Sequence, residues 1–233
     1  MPTETQEHIL QDRTIEISRN GNHQYWLPDG ERMSGVTSLL TALDPPFGAA
    51  SGWAIKQARL AGGDLDAPSR VSREAKESGA KLHNQIHEYI TDGRVAEEDD
   101  VFMLWFTELG KHHTWLASER FLYHPDYKFG GTVDAFSKLP GTDEIVIWDW
   151  KTKAQNQMDS IRKYGAYAKD VAQISAYASA LQQMKSQLSP TAAKIAYLSR
   201  DSSDIAVVDV DLDHGWELFK ASLQVYMLLK GTK

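Results

Sequence analysis

Three acidic residues and a lysine carry the chemistry to consider first. Glu119, Asp134 and Asp149 are evenly spaced, fifteen residues apart, and Lys151 stands two positions after the last. The segments around them alternate with a period of two. Trp115 to Tyr123, Lys128 to Ser137 and Glu144 to Lys151 read as three successive strands, joined by turns at Pro125-Asp126 and Pro140-Gly141. Residues two apart on a strand share a face. Ile145, Ile147, Asp149 and Lys151 therefore line one side, and Val146, Trp148 and Trp150 pack on the other. If the two turns are centred at Asp126-Tyr127 and Gly141-Thr142, Glu119 faces Asp134 and Asp134 faces Asp149. Opposed Cβ atoms stand about 4.5–5.5 Å apart. Three carboxylates that close repel unless cations neutralise them. A divalent metal together with Lys151 would do so. One bulge would break this register.

The bland alternative makes Asp149 and Lys151 an exposed ion pair at a strand end. The run Ile145-Val146-Ile147 argues against it, because it marks a buried strand where charge needs a reason. Hard oxygen donors with few imidazoles suit Mg²⁺ or Mn²⁺ better than Zn²⁺. Mg²⁺ commonly takes one or two carboxylates and completes its shell with water and substrate phosphate, the arrangement that hydrolyses phosphodiesters. Lys151 would orient or deprotonate the attacking water and offset charge in the transition state. Glu119 is either a ligand or a salt-bridge partner.

The elements that must hold these residues surround the three strands. Thr14 to Ile17 and Gln24 to Leu27 read as short strands or a hairpin, broken at Gly21-Asn22. Val36 to Leu43 reads as a helix stopped by Pro45-Pro46, and Gly52 to Leu60 as another. Ala61 to Pro68 reads as a loop. Val71, Ala75, Leu82, Ile86 and Ile90 recur at helical spacing up to Asp92-Gly93. A further helix spans Asp99 to Leu109. After the strands come a long helix from Asp159 to Gln187, strands over Ala193 to Leu198 and Ile205 to Val210, and an amphipathic helix from Trp216 to Leu229. This order predicts an α/β (α+β) fold with a central mixed sheet flanked by helices.

The chain has 233 residues, 42% hydrophobic and 24% charged, so it can bury a proper core. A net charge of −7 argues against a protein that coats nucleic acid by bulk electrostatics. It is compatible with an enzyme that gathers carboxylates around a metal. Zero cysteines exclude disulfides, thiolate zinc sites and a cysteine-ligated iron–sulfur cluster. No apolar run approaches the roughly 18 residues of a membrane span. The polar start, Met1 to Arg13, lacks a signal-peptide pattern. A cytoplasmic location and no membrane partner are expected.

Four motifs then fall in order: Gly79-Ala80-Lys81-Leu82-His83, Gly131-Thr132-Val133-Asp134, Asp149-Trp150-Lys151 and Gln173-Ile174-Ser175-Ala176-Tyr177. Together they resemble the PD-(D/E)XK nuclease superfamily, and within it the RecB-type exonuclease branch, which includes phage exonucleases and a mitochondrial genome maintenance exonuclease. Ser34-Gly35-Val36-Thr37 with Trp53-Ala54 resembles the N-terminal lead of phage members. The resemblance spans Val36 to Leu181 and implies a restriction-endonuclease-like core. It divides the chain into an N-terminal elaboration over 1–68 and a catalytic core over 69–233 of a single nuclease domain.

The resemblance implies that Asp134, Asp149, the Trp150 carbonyl and His83 hold Mg²⁺ or Mn²⁺. Lys151 and Glu119 would complete the catalytic group. Gln173 would steady Lys151 or a metal water, and Tyr177 would touch DNA or Lys151. His83 would otherwise be a satisfied core histidine, and His87, one turn on, reads as structural. Lys153, Arg162, Lys163 and Lys169, with Tyr164 and Tyr167, could track a phosphate backbone with aromatic stacking, or form a solvated helix face. The expected substrate is linear DNA, single- or double-stranded, in phage or bacterial recombination, repair or DNA processing in the host cytoplasm, with a single-strand annealing protein as accessory partner. The rivals are a structure-specific or restriction-type endonuclease of the same fold and a catalytically silent nucleic-acid-binding recombination partner.

Overall fold

The computed structural model describes residues 4–9, 14–21, 24–44 and 49–231. Asn22, Pro45 and Pro46, invoked above as breaks, lie outside the described residues. The chain opens as an antiparallel meander of β1 (Glu4–Ile9), β2 (Thr14–Arg19), β3 (Tyr25–Trp26) and β4 (Arg32–Gly35). The expected hairpin is therefore the middle of a larger unit. Strand β1 has the sequence ETQEHI and β4 RMSG, too polar for hydrophobic alternation to reveal either.

Strand β4 runs directly into α1 (Val36–Leu39), which tightens into a 3₁₀ turn over Leu40–Leu43. Next come α2 (Ala49–Leu60), α3 (Ala67–Asp92) and α4 (Asp100–Glu108). Helix α3 starts inside the segment expected to be loop, with Pro68 in its first turn, where a missing N–H costs nothing. It ends as expected at Gly93, whose φ of 72° supplies the left-handed cap. Asp99 caps α4 by accepting from the Phe102 amide at 2.9 Å.

The central strands are β5 (Thr114–His124), β6 (Phe129–Lys138) and β7 (Ile145–Lys153), followed by α5 (Gln155–Tyr164), α6 (Ala168–Gln183), β8 (Ala192–Ser199), β9 (Ile205–Asp209) and α7 (Leu212–Gly231). The long helix expected from Asp159 to Gln187 is thus two helices. Gly165, at φ 82°, breaks the helical path between them. Apolar spacing continues across the break and conceals it. Helix α6 also stops at Gln183, short of the expected end at Gln187.

The strands form one mixed sheet, with parallel pairs β4–β6 and β7–β8 and antiparallel pairs elsewhere. One face packs on α6, α7 and the meander through Phe136, Ile147, Ile174, Tyr177 and Phe219. The other packs on α3 and α4 through Leu82, Ile86, Phe102, Trp105, Trp148 and Trp150. The predicted division of β7 into an isoleucine face and a tryptophan face is observed. The α6–α7 contact is close at Gly215, where an added Cβ would lie 2.8 Å from the Val171 carbonyl oxygen. Alanine normally favours a helix over glycine, but here overpacking against backbone dominates. Gly215→Ala is expected to destabilise the protein by about 1–3 kcal/mol, read as a lowered midpoint in thermal denaturation.

Candidate active site

The site begins with an edge of β6 that is used twice. Strand β5 pairs along the full length of β6, from His124–Phe129 to Thr114–Lys138. On the other edge β4 meets only Phe129 and Gly130, and β7 meets only Ala135 to Lys138. Gly131 to Asp134 lie in the gap between these two partners. A cavity of about 180 Å³ opens there, lined among others by Val36, His83, Glu119, Gly131, Asp134 and Tyr177. Gly131 is required by close approach: an added Cβ would lie 3.0 Å from Tyr177 Cδ1.

The predicted register holds. Ser118 pairs with Ala135 and Arg120 with Val133, so Glu119 lies across from Asp134. A bulge exists, but at Trp115/Ala117, on the outer side of the acids. Pairing of β6 with β7 reaches Ala135–Trp148 and ends one step before Asp134 and Asp149. Asp134 itself closes the junction, its Oδ2 accepting from the Trp150 amide at 2.8 Å.

Glu119 leaves the ladder. Its φ of 49° is left-handed, an uncommon conformation for a side-chain-bearing residue. Gln6 of β1 repairs the interruption: its Nε2 donates to the Glu119 carbonyl at 2.7 Å and its Oε1 accepts from the Phe121 amide at 2.8 Å. Sequence reasoning had no signal for Gln6, because its partner stands 113 positions away.

Helices from both faces of the sheet reach this point. From α3, His83 Nε2 donates to the Trp150 carbonyl at 3.1 Å. That turns Nδ1 toward Asp134 Oδ1 at 3.5 Å and Glu119 Oε1 at 3.8 Å. One ligand atom from each of His83, Glu119 and Asp134 falls within 4.8 Å of the others. Two carboxylates and one imidazole converging on a cavity form a donor set that fits a divalent cation. The Trp150 carbonyl, expected among the ligands, already accepts from His83.

Asp149 is turned to the other side. It is 1% exposed, and Lys151 Nζ reaches its Oδ1 at 2.8 Å and Oδ2 at 2.6 Å. From α6, Gln173 Nε2 donates to Asp149 Oδ1 at 3.3 Å and to the Tyr177 hydroxyl at 3.0 Å. Gln173 was expected to steady Lys151 or a metal water; its hydrogen bond goes to Asp149, the partner of Lys151. The bond from Gln173 also occupies the Tyr177 hydroxyl, and the ring covers Gly131. His87 donates or accepts at Ser118 Oγ, 2.6 Å from its Nδ1, as a structural residue would.

Burial and charge set the protonation of the cluster. Burial raises the Asp149 carboxyl, and although Lys151 opposes this, the group is pushed up to about 7. Asp134 is raised for the same first reason, against the pull of His83 and Lys151. Burial alone would lower His83; Asp134 and Glu119 outweigh it and hold the imidazole at about 9. Lys151 would likewise be lowered by burial, but Asp149, Asp170 and Asp134 hold it above its ordinary value. Asp170 was not singled out from the sequence. It stands three residues before Gln173 and accepts from the Tyr197 hydroxyl at 3.0 Å, with Lys153 Nζ 3.6 Å away. That helical spacing could have flagged it.

The remaining predicted contacts lie further out. Lys153 Nζ sits 4.8 Å from the Tyr167 ring centroid. Arg162 is tied to Asp204 and to the Ile205 carbonyl, and Lys169 pairs with Asp44. Lys163 and Tyr164 lie together, 5.0 Å from ammonium to ring centroid, with Tyr164 exposed. On the cavity's far wall, Tyr25 and Arg19 of the meander hold Thr132 Oγ1 at 2.9 and 3.1 Å. Neither was anticipated.

A family model described as the PD-(D/E)XK nuclease superfamily matches residues 52–224. The chain belongs to that superfamily. Its nucleases use divalent metals, in keeping with the donor set above. No curated protein matches the chain. Among solved structures, it is similar to LHK-Exo in complex with dAMP, at 11% identity and a TM-score of 0.45, covering 86% of this chain and 89% of that one. It is also similar to the alkaline exonuclease LHK-Exo from Laribacter hongkongensis, at 13% identity and a TM-score of 0.38, covering 84% and 92%. A phage-related exonuclease from Haemophilus somnus matches at 14% identity and a TM-score of 0.33, covering 86% and 96%. Among the described residues, no helix is long and apolar enough to cross a membrane.

Lys151→Met isolates the electrostatics of the buried pair, because it leaves Asp149 without its cation. A carboxyl whose folded pKa exceeds its unfolded value costs stability as pH rises past the unfolded value, in full above the folded one. The variant is expected to lose about 3–5 kcal/mol near pH 8 and to recover part of it toward about pH 5. Melting curves of variant and wild type in chelator, at both pH values, measure the difference.

Proposed function

We propose that this nuclease is a metal-dependent DNA exonuclease that hydrolyses phosphodiester bonds at the ends of linear DNA. The observation that carries the reading is the convergence of His83, Glu119 and Asp134 beside the buried Asp149–Lys151 pair. Glu119, Asp134 and His83 Nδ1 would hold Mg²⁺ or Mn²⁺, and Asp149 would join them on releasing one oxygen from Lys151. When bound, the cation polarises the phosphoryl oxygen and acidifies a water. Lys151, kept protonated by its acidic neighbours, serves as a hydrogen-bond donor and positive charge toward the developing phosphorane rather than as a base. Gln173 fixes Asp149, and Tyr177 packs over Gly131 to shape the cavity wall. The small cavity, closed on its far side by Arg19, Tyr25 and Thr132, suits a strand end better than a strand running through it.

End-labelled linear DNA, single- and double-stranded, incubated with Mg²⁺, Mn²⁺ or chelator, tests the reading. Metal-dependent release of short products is expected, falling by at least about 10²-fold in Lys151→Ala, with a covalently closed circle left intact. Cutting of the circle would make the enzyme an endonuclease, and no cleavage of any substrate by folded protein would sink the catalytic reading.

Metal binding has its own readout. Millimolar Mn²⁺ is expected to raise the melting temperature of the wild type but not of Asp134→Asn. An equal shift in both proteins would place the cation elsewhere.

A further inference from the structure

The α2–α3 hairpin carries a second cleft that the catalytic reading does not use. It holds about 460 Å³ and is lined by Trp53, Pro68, Ser69, Ser72, Arg73 and Lys76. Trp53 is 42% exposed, which is unusual for the largest apolar side chain. The lining contains two cations and no acid. Arg73 has one exposed carboxylate nearby, Glu77 at 3.8 Å, a pair worth little in water. Among the described residues, no carboxylate lies within ion-pair distance of Lys76. In a chain of net charge −7, an acid-free cleft of this kind is a local exception.

Its position relates it to the active site. Ser69, Ser72, Lys76, Gly79 and His83 follow one another along α3 at spacings of three or four, so they share one side of the helix. Lys76 and His83 are two turns apart, about 10 Å along the axis. That is roughly three nucleotides at duplex rise, and fewer in an extended strand.

We propose that this cleft binds an unpaired nucleic-acid strand just outside the catalytic centre, with a base stacked on Trp53 and phosphates on Arg73 and Lys76. An open indole face beside paired cations matches an alternating base and phosphate. Inside a duplex the bases stack on each other, and only the terminal pairs offer Trp53 a free face. The proposal rests on the nucleic-acid reading above and adds a single-strand track to it.

The test is equilibrium binding of labelled oligothymidine and of a blunt duplex, by fluorescence anisotropy in chelator, where cleavage cannot occur. Trp53→Ala is expected to lower oligothymidine affinity about tenfold and to reduce the preference for single strand over duplex, while Trp53→Phe retains most of the affinity. Arg73→Gln with Lys76→Gln is expected to flatten the salt dependence by about 1.4 in log–log slope, for two phosphates on a single strand. Equal affinity and salt slope in all variants would overturn the cleft, as would wild-type protein that binds no single strand. A loss of duplex and single-strand binding in equal measure would overturn the track too, because it would place a general phosphate contact there. Cleavage assays on the same proteins separate this from the catalytic reading: a wild type that binds but does not cut fails that reading and leaves the cleft to the binding comparison.

Discussion

A β-strand has two edges, and β6 divides one of them between two partners. Strand β4 holds its first residues and β7 its last, and the backbone between them is left without a strand neighbour on that side. Buried backbone polar groups must find partners somewhere. Here a carboxylate takes part of that work, as Asp134 accepts from the Trp150 amide where the ladder stops. The same divergence leaves the space into which His83, Glu119 and Tyr177 project. Fold and site are thus one arrangement: the place where the sheet fails to close is where reactive groups can be both buried and reached.

The cost of that arrangement is electrostatic. Four carboxyls, an imidazole and two ammonium groups share a poorly solvated region. Isolated charges there would be untenable, so each is answered: Asp149 by Lys151, Asp134 by the Trp150 amide and His83, Glu119 by His83, and Asp170 by Tyr197 and Lys153. The charges fall into two groups. Glu119, Asp134 and His83 face the cavity, while Asp149 and Lys151 satisfy each other behind it. A cation entering the first group would relieve the repulsion between its acids.

Much of this was legible from the chain itself. Period-two alternation located β5, β6 and β7, and turns centred at Asp126-Tyr127 and Gly141-Thr142 led to both observed hairpin registers, because antiparallel pairing is arithmetic once the turns are placed. Gly79 through His83 and Gln173 through Tyr177 lie on helices, from which His83 meets the Trp150 carbonyl and Gln173 meets Asp149. What escaped was non-local or apolar-silent. Gln6, Arg19 and Tyr25 act through partners over a hundred residues away, and Gln6 stands on a strand too polar to show a pattern. The Gly165 break escaped because helical periodicity continued across it. The placement of Glu119 escaped because its left-handed backbone, a departure from strand geometry, leaves no pattern in the sequence.

The Gln6 bridge ties the shape of the centre to the order in which the chain is made. Strand β1 is synthesised before β5, and the backbone it stabilises at Glu119 lies 113 residues later. Contacts of that separation carry a large loop-closure entropy and belong to the late part of folding. The meander can form locally and the β5–β6 hairpin can form locally, but the left-handed turn at Glu119 is secured only when the two dock. A nascent or partly folded chain therefore has its acids in sequence but not in place, and competence arrives as the final tertiary contact does. For a nuclease, that delay separates possession of the acidic residues from possession of the site.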